Sequence, residues 1–214
     1  MVKLEKLNRR EAIRYLGGAK VEMNEKMQSL MDECEHMILT AASPKYLYRL
    51  IDLPCDEIVR GKDVADCLKG CERAVIMCAT LGGEVDRLIR IAEISDMAKA
   101  VVLDSFASTA VEQVCFKVDE ILAQKYPDFS FTFRFSPGYG DYPIEMQRTF
   151  LDRLDAPRKI GLTVNDNSLL IPSKSVTAVA GMSKSPIERK KRGCAVCNMR
   201  NTCKFRRNGE HCGF

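Results

Sequence analysis

Hydrophobic positions recur at helical spacing through the first half of the chain and at strand spacing near its end. Asn8 followed by Glu11-Ala-Ile-Arg-Tyr-Leu-Gly-Gly18 reads as an N-cap and a short helix ended by its two glycines. From Asn24 to Thr40, Met27, Leu30, Met31, Cys34, Met37 and Ile38 fall three or four apart, which gathers them on one face of a second helix. Ser43-Pro44 ends it. The stretch to Ile58 suggests a strand, placed at an edge or made irregular by Pro54. Residues 61–71 read as a short helix, Ala74–Ala79 as a buried strand, Gly82-Gly83 as a turn and residues 84–98 as a helix. The longest helix is predicted over Ala100–Gln124, with Leu103, Ala107, Ala110, Val114, Val118 and Ile121 inward and Asp104, Ser108 and Glu112 on a polar strip. That strip is either a solvated face or one turned toward a ligand. Phe129–Phe135 alternates as a strand and Ser136-Pro-Gly-Tyr-Gly140 turns out of it. A helix over 143–154 and β-type stretches at Lys159–Val164 and Leu169–Val179 follow, and helices preceding strands argue for an α+β domain.

Composition narrows the class. With 46% hydrophobic and 29% charged residues, the 214-residue chain reads as globular, one core domain with a small appendage. No apolar run approaches the roughly 18 residues of a membrane span, and the first eighteen residues are charged throughout, so a cytoplasmic protein is expected. Strand, Gly82-Gly83 and helix lack the full glycine fingerprint of a dinucleotide site. Cys34, Cys55, Cys67, Cys71, Cys78 and Cys115 lie in helical or apolar contexts, as reduced buried thiols do. Ser183-Lys-Ser-Pro186 reads as a hinge, giving a domain over 1–182 and a basic, cysteine-rich tail over 183–214.

In the tail, Cys194, Cys197, Cys203 and Cys212 place four soft ligands within nineteen residues, a set suited to a 4Fe-4S cluster or to tetrahedral zinc. Two clean Cys-x2-Cys knuckles would favour zinc, and this tail has only one; iron and sulfur is the preferred reading where the chain serves a reaction that needs a low-potential electron. Most of the net charge of +4 also sits here, in residues such as Arg189, Lys190, Lys191 and Arg192. A nucleic-acid-binding module is therefore one reading, but only Phe205 and Phe214 accompany the cysteines, too few for a stacking platform.

The run Arg134-Phe-Ser-Pro-Gly-Tyr-Gly-Asp-Tyr-Pro143, then Gln147, Phe150 and Leu154, Lys159-Ile-Gly-Leu-Thr163 and Pro172-Ser-Lys-Ser-Val-Thr177, resembles the activation domain of cobalamin-dependent methionine synthase. Arg14-Tyr-Leu-Gly17, Thr80-Leu-Gly82, Leu103-Asp-Ser105 and Val111-Glu112 are similar to short, free-standing members of that family. The resemblance implies an antiparallel sheet flanked by helices that binds S-adenosylmethionine and caps the cobalamin of a partner. It implies an accessory role in reductive methylation: a flavodoxin- or ferredoxin-like donor supplies the electron, S-adenosylmethionine the methyl group, and the partner is methionine synthase. An activator of another corrinoid methyltransferase is the nearest alternative. Whether the chain itself counts as an enzyme is left open; it reads as an activation subunit.

Through that resemblance, Arg134 grips the ligand carboxylate in a two-pronged contact, and Glu112 or Asp104 balances the ammonium. Ser136 belongs to the same motif. Gly138 and Gly140 let backbone amides approach, and Tyr139 offers a ring to ligand or corrin. Lys174 and Ser175 match the second block and face the same cleft. Fused members carry aromatic residues just after the Ser-Val block; Val179 and Ala180 stand there in this chain, so that contact is not carried over.

Overall fold

The computed structural model describes residues 2–18, 21–187, 201, 202 and 206. Four strands form an antiparallel sheet in the order β1 (Lys45–Asp52), β2 (Arg73–Thr80), β6 (Ser175–Ser183), β3 (Ser130–Phe131). A second ladder pairs β4 (Thr163–Val164) with β5 (Leu170–Ile171).

Helices cover both faces of the sheet, so its central strands are buried on both sides. Along β2, Val75, Met77 and Ala79 pack under α1 (Arg9–Leu16), α2 (Glu25–Ala41), α4 (Gly83–Ser95) and α5 (Met97–Lys125). The alternate residues Ala74, Ile76 and Cys78 pack against Tyr142, Phe150 and Leu151 and the layer of α3 (Lys62–Cys67), α6 (Met146–Leu154) and α7 (Ala156–Ile160). Period-two alternation feeds two cores from one strand, which is why residues 74–79 read as an unbroken apolar run. Each large side chain buried in these layers contributes about 1.5–3 kcal/mol.

Local signals set the helices. Asn8, Asn24 and Asp96 cap α1, α2 and α5 by accepting from Glu11 N, Met27 N and Lys99 N. Asp96 alone separates α4 from α5, so the boundary falls earlier than residues 98–100. Its 29 residues make α5 about 43 Å long. Leu103, Ala107, Ala110, Val114 and Val118 are buried as predicted, while Ile121 is half-buried. Glu35 of α2, itself buried, accepts from Leu7 N (2.9 Å) and Arg9 Nε (2.6 Å), which fastens the N-terminal segment to the bundle.

Three predicted strands come out differently. Lys159 and Ile160 end α7, because Pro157 presets helical φ in its first turn, and only Thr163–Val164 is strand. Pro172 splits Leu169–Val179 into β5 and β6, and β6 continues to Ser183, paired with Ser130. Phe129–Phe135 is not a continuous strand. Phe131 pairs with Met182 and Phe135 with Val179, so three residues oppose two and one extra residue forms a bulge. Thr132 bridges it, donating its N–H to the Gly181 carbonyl (3.0 Å) and accepting from Gly181 N at its hydroxyl (2.8 Å).

Cys34, Cys67, Cys78 and Cys115 are buried, and Cys55 and Cys71 half-buried, all as free thiols. Burial pushes the Cys34 thiol up to about 11 and those of Cys78 and Cys115 up to about 12, the character of inert core thiols. Among the described residues no helix is long and apolar enough to cross a membrane. Cys194, Cys197, Cys203 and Cys212 lie outside the described residues.

Candidate functional site

The bulge decides where the site lies. In a regular strand Phe131 and Phe135 would share a face; the inserted residue puts Phe131 with the α5 layer and Phe135 with the opposite one. Arg134, next to Phe135, is therefore turned toward α5. Its Nη2 donates to Glu112 Oε2 (3.1 Å) and its Nη1 lies 3.6 Å from Asp119 Oδ2. The guanidinium also sits over the Phe116 ring, 5.0 Å from the centroid. Its side chain is 14% exposed, yet Nη1 is fully buried and makes no hydrogen bond. Two acids thus hold the charge of Arg134 while leaving donor capacity at one nitrogen.

A second basic side chain meets the same helix about 12 Å away, eight residues toward its N-terminus. Lys174 Nζ lies 2.6 Å from Asp104 Oδ1 and donates to Ser108 Oγ at 3.0 Å. Ser175 follows, its Oγ 2.7 Å from the Pro172 carbonyl oxygen and 2.8 Å from Thr80 Oγ1. The polar strip of Asp104, Ser108 and Glu112 is accordingly met by Arg134 and Lys174 rather than by solvent alone.

The turn after Arg134 is braced internally. Gly138 (φ 90°) donates its N–H to the Tyr142 carbonyl (2.8 Å), and Tyr139 donates to the Ser136 carbonyl (3.3 Å). Ser136 is half-buried, and Tyr139 carries its ring outward, 69% exposed. Gly140 (φ 55°) is packed against Asp63, where a Cβ would collide with the carboxylate. Next to it, Asp141 accepts from Lys62 N (2.7 Å) and Asp63 N (3.0 Å), capping α3. Those two backbone bonds hold the Asp141 carboxyl below the usual carboxylate range. Tyr142 donates its hydroxyl to the buried Ile58 carbonyl (2.7 Å). The glycine signature therefore also serves a latch between turn and α3, and the Gly138 amide is engaged inside the turn.

The structure thus brings together Arg134 with Glu112 and Lys174 with Asp104, on one helix face. The sequence reading missed Asp119, Phe116 and Tyr15. Asp119 lies seven residues past Glu112, two turns along the same face, and was legible from that spacing. Tyr15, from the Arg14-Tyr-Leu-Gly17 block, lies beside Glu112: burial raises its phenol, the Arg14 guanidinium 4.4 Å from the ring centroid opposes, and Glu112 adds to the rise. Among the described residues no group of acids, histidines and cysteines is arranged to hold a metal ion.

Neither the family models nor the curated proteins searched give a match. Among solved structures 13 chains match. One is the MetH reactivation domain in a crystal structure with bound AdoHcy, similar over 78% of this chain and 67% of that one, at a TM-score of 0.59 and 14% identity. The chain has that fold, an antiparallel sheet flanked by helices.

Proposed function

We propose that the chain binds S-adenosylmethionine along the polar strip of α5 and supports reductive methylation of the corrinoid on a separate cobalamin-dependent methionine synthase. The observation that carries this reading is Arg134: a guanidinium oriented by Glu112, Asp119 and Phe116, its side chain 14% exposed beside the two acids. With five donors in a fixed fork, a guanidinium held in this way has donor capacity left for a further charge-assisted partner. The α-carboxylate of an amino acid is such a partner, and the adjacent Glu112 carboxylate suits its ammonium. A structural neighbour crystallised with AdoHcy gives the same reading independent support.

In this arrangement Arg134 and Glu112 fix the amino-acid end of the ligand. Ser136, Gly138, Tyr139 and Gly140 form the turn beside it, with the Tyr139 ring free to meet a flat macrocycle. Asp104, Lys174 and Ser175 frame the far end of the cleft. The partner's corrinoid supplies the metal that accepts the methyl group, and a flavodoxin- or ferredoxin-like protein supplies the electron. This chain's residues hold and orient the sulfonium donor.

Calorimetric titration of the full chain with AdoHcy tests the reading. The native protein binds, and Arg134→Ala weakens binding by about 1.5–3 kcal/mol, the value of a hydrogen bond to a charged group. No heat of binding from the native protein, with or without a cobalamin-loaded methionine synthase, overturns it.

A further inference from the structure

The bulge that turns Arg134 toward α5 interrupts the ladder with β6, and one side chain bridges the gap. In a hydrogen-bonded antiparallel pair the two residues exchange both backbone bonds. Thr132 keeps one of them, donating its N–H to the Gly181 carbonyl (3.0 Å), but the return bond from the Gly181 amide goes to the Thr132 hydroxyl (2.8 Å). That hydroxyl in turn donates to the Phe133 carbonyl (3.0 Å), so it ties the strands together where the register shifts between Phe131↔Met182 and Phe135↔Val179. The surroundings leave little room for another arrangement. The Cys67 thiol approaches the Thr132 hydroxyl (3.6 Å) and the Phe133 carbonyl (3.7 Å), and a Cβ at Gly181 would stand 2.5 Å from Cys71 Sγ and 3.0 Å from Thr132 Cγ2. Without the extra residue, strict alternation would carry Arg134 to the face opposite Phe131, away from Glu112.

We infer that Thr132 is a positioning residue for the candidate ligand site: its hydroxyl fixes the bulged register, and that register delivers the Arg134 guanidinium to Glu112. The inference rests on the proposed function for the ligand that Arg134 takes. It makes the Thr132 hydroxyl, rather than its methyl group, the part of the side chain on which affinity depends.

A double-mutant cycle on the full chain, read by calorimetry with AdoHcy, tests it. Thr132→Val keeps the shape of the side chain but leaves the Gly181 amide without its acceptor, and weakens AdoHcy about fivefold or more. Thr132→Ser retains the hydroxyl and stays within about twofold of the native protein. In the Arg134→Ala background Thr132→Val has no further effect beyond about twofold, because a residue that acts through Arg134 has nothing left to position. A general loss of packing, or a direct contact between Thr132 and the ligand, would instead weaken both backgrounds alike. Should Thr132→Val fail to fold, Thr132→Ala compared with Thr132→Ser isolates the hydroxyl, the methyl group being absent from both. Native affinity in the variants without a hydroxyl, or losses that add in full to that of Arg134→Ala, removes Thr132 from this role and leaves the proposed function intact. Absence of AdoHcy binding by the native chain removes both.

Discussion

Two basic side chains cross to the same face of α5, and they differ in how completely they are satisfied. Lys174 is held at hydrogen-bond distance by both Asp104 and Ser108, so its charge is neutralised by groups already in place. Arg134 has one hydrogen bond to Glu112 and, at its buried Nη1, only a longer 3.6 Å approach to Asp119. Both side chains are 14% exposed, so burial alone does not distinguish them. The difference teaches that pairing distances, rather than the presence of a base near an acid, separate a clamp that closes a cleft from a station that awaits a ligand.

The largest effect expected is on affinity. Arg134→Ala weakens AdoHcy about 10- to 150-fold, the equivalent of 1.5–3 kcal/mol, whereas Lys174→Ala changes it by less than about twofold. Equal losses in calorimetry would erase the distinction. The turn beside the open station is expected to matter next: Gly140→Ala places a Cβ against Asp63 at a left-handed φ of 55° and lowers stability by about 1–2 kcal/mol in denaturant titration. A native-like midpoint would show that the latch to α3 does not hold this turn. Ligand-free stability then separates the two bases in the opposite sense from affinity. Lys174→Met, which breaks two satisfied contacts, lowers it by about 1 kcal/mol, while Arg134→Met changes it by less than about 0.5 kcal/mol because the lost pair is offset by removal of an unsatisfied buried donor.

The smallest effect is at acid pH. Asp141 has its folded pKa depressed by the backbone N–H groups of Asp63 and Lys62. Its contribution is therefore complete above the ordinary carboxylate range and is lost as pH falls through the depressed value. Asp141→Asn should show a flatter acid limb of stability than the native chain, with no difference in slope near neutrality.

Much of the scaffold was legible because it rests on strong periodicity and capping. The inward positions of α5 from Leu103 to Val118, the caps at Asn8 and Asn24 and the buried strand at Ala74–Ala79 appear where the pattern puts them. The site was only partly legible. Glu112 and Arg134 were named through resemblance, but their contact depends on a bulge that the regular spacing of Phe129, Phe131, Phe133 and Phe135 conceals, since strict alternation predicts no change of face. Phe116 gave no signal, being an exposed aromatic whose role depends on a guanidinium from a distant strand. Gly140 signalled a special backbone without revealing that Asp63 approaches it. For the tail, cysteine spacing is the sole basis for a metal, because those residues lie outside the described part of the chain.

The central claim is that the Arg134 guanidinium takes the ligand's carboxylate. A crystal structure of the full chain grown with saturating AdoHcy tests it most directly. The account predicts the ligand's carboxylate within about 2.7–2.9 Å of the Arg134 guanidinium and its ammonium against Glu112. AdoHcy bound elsewhere, out of reach of the Arg134 guanidinium, would contradict it.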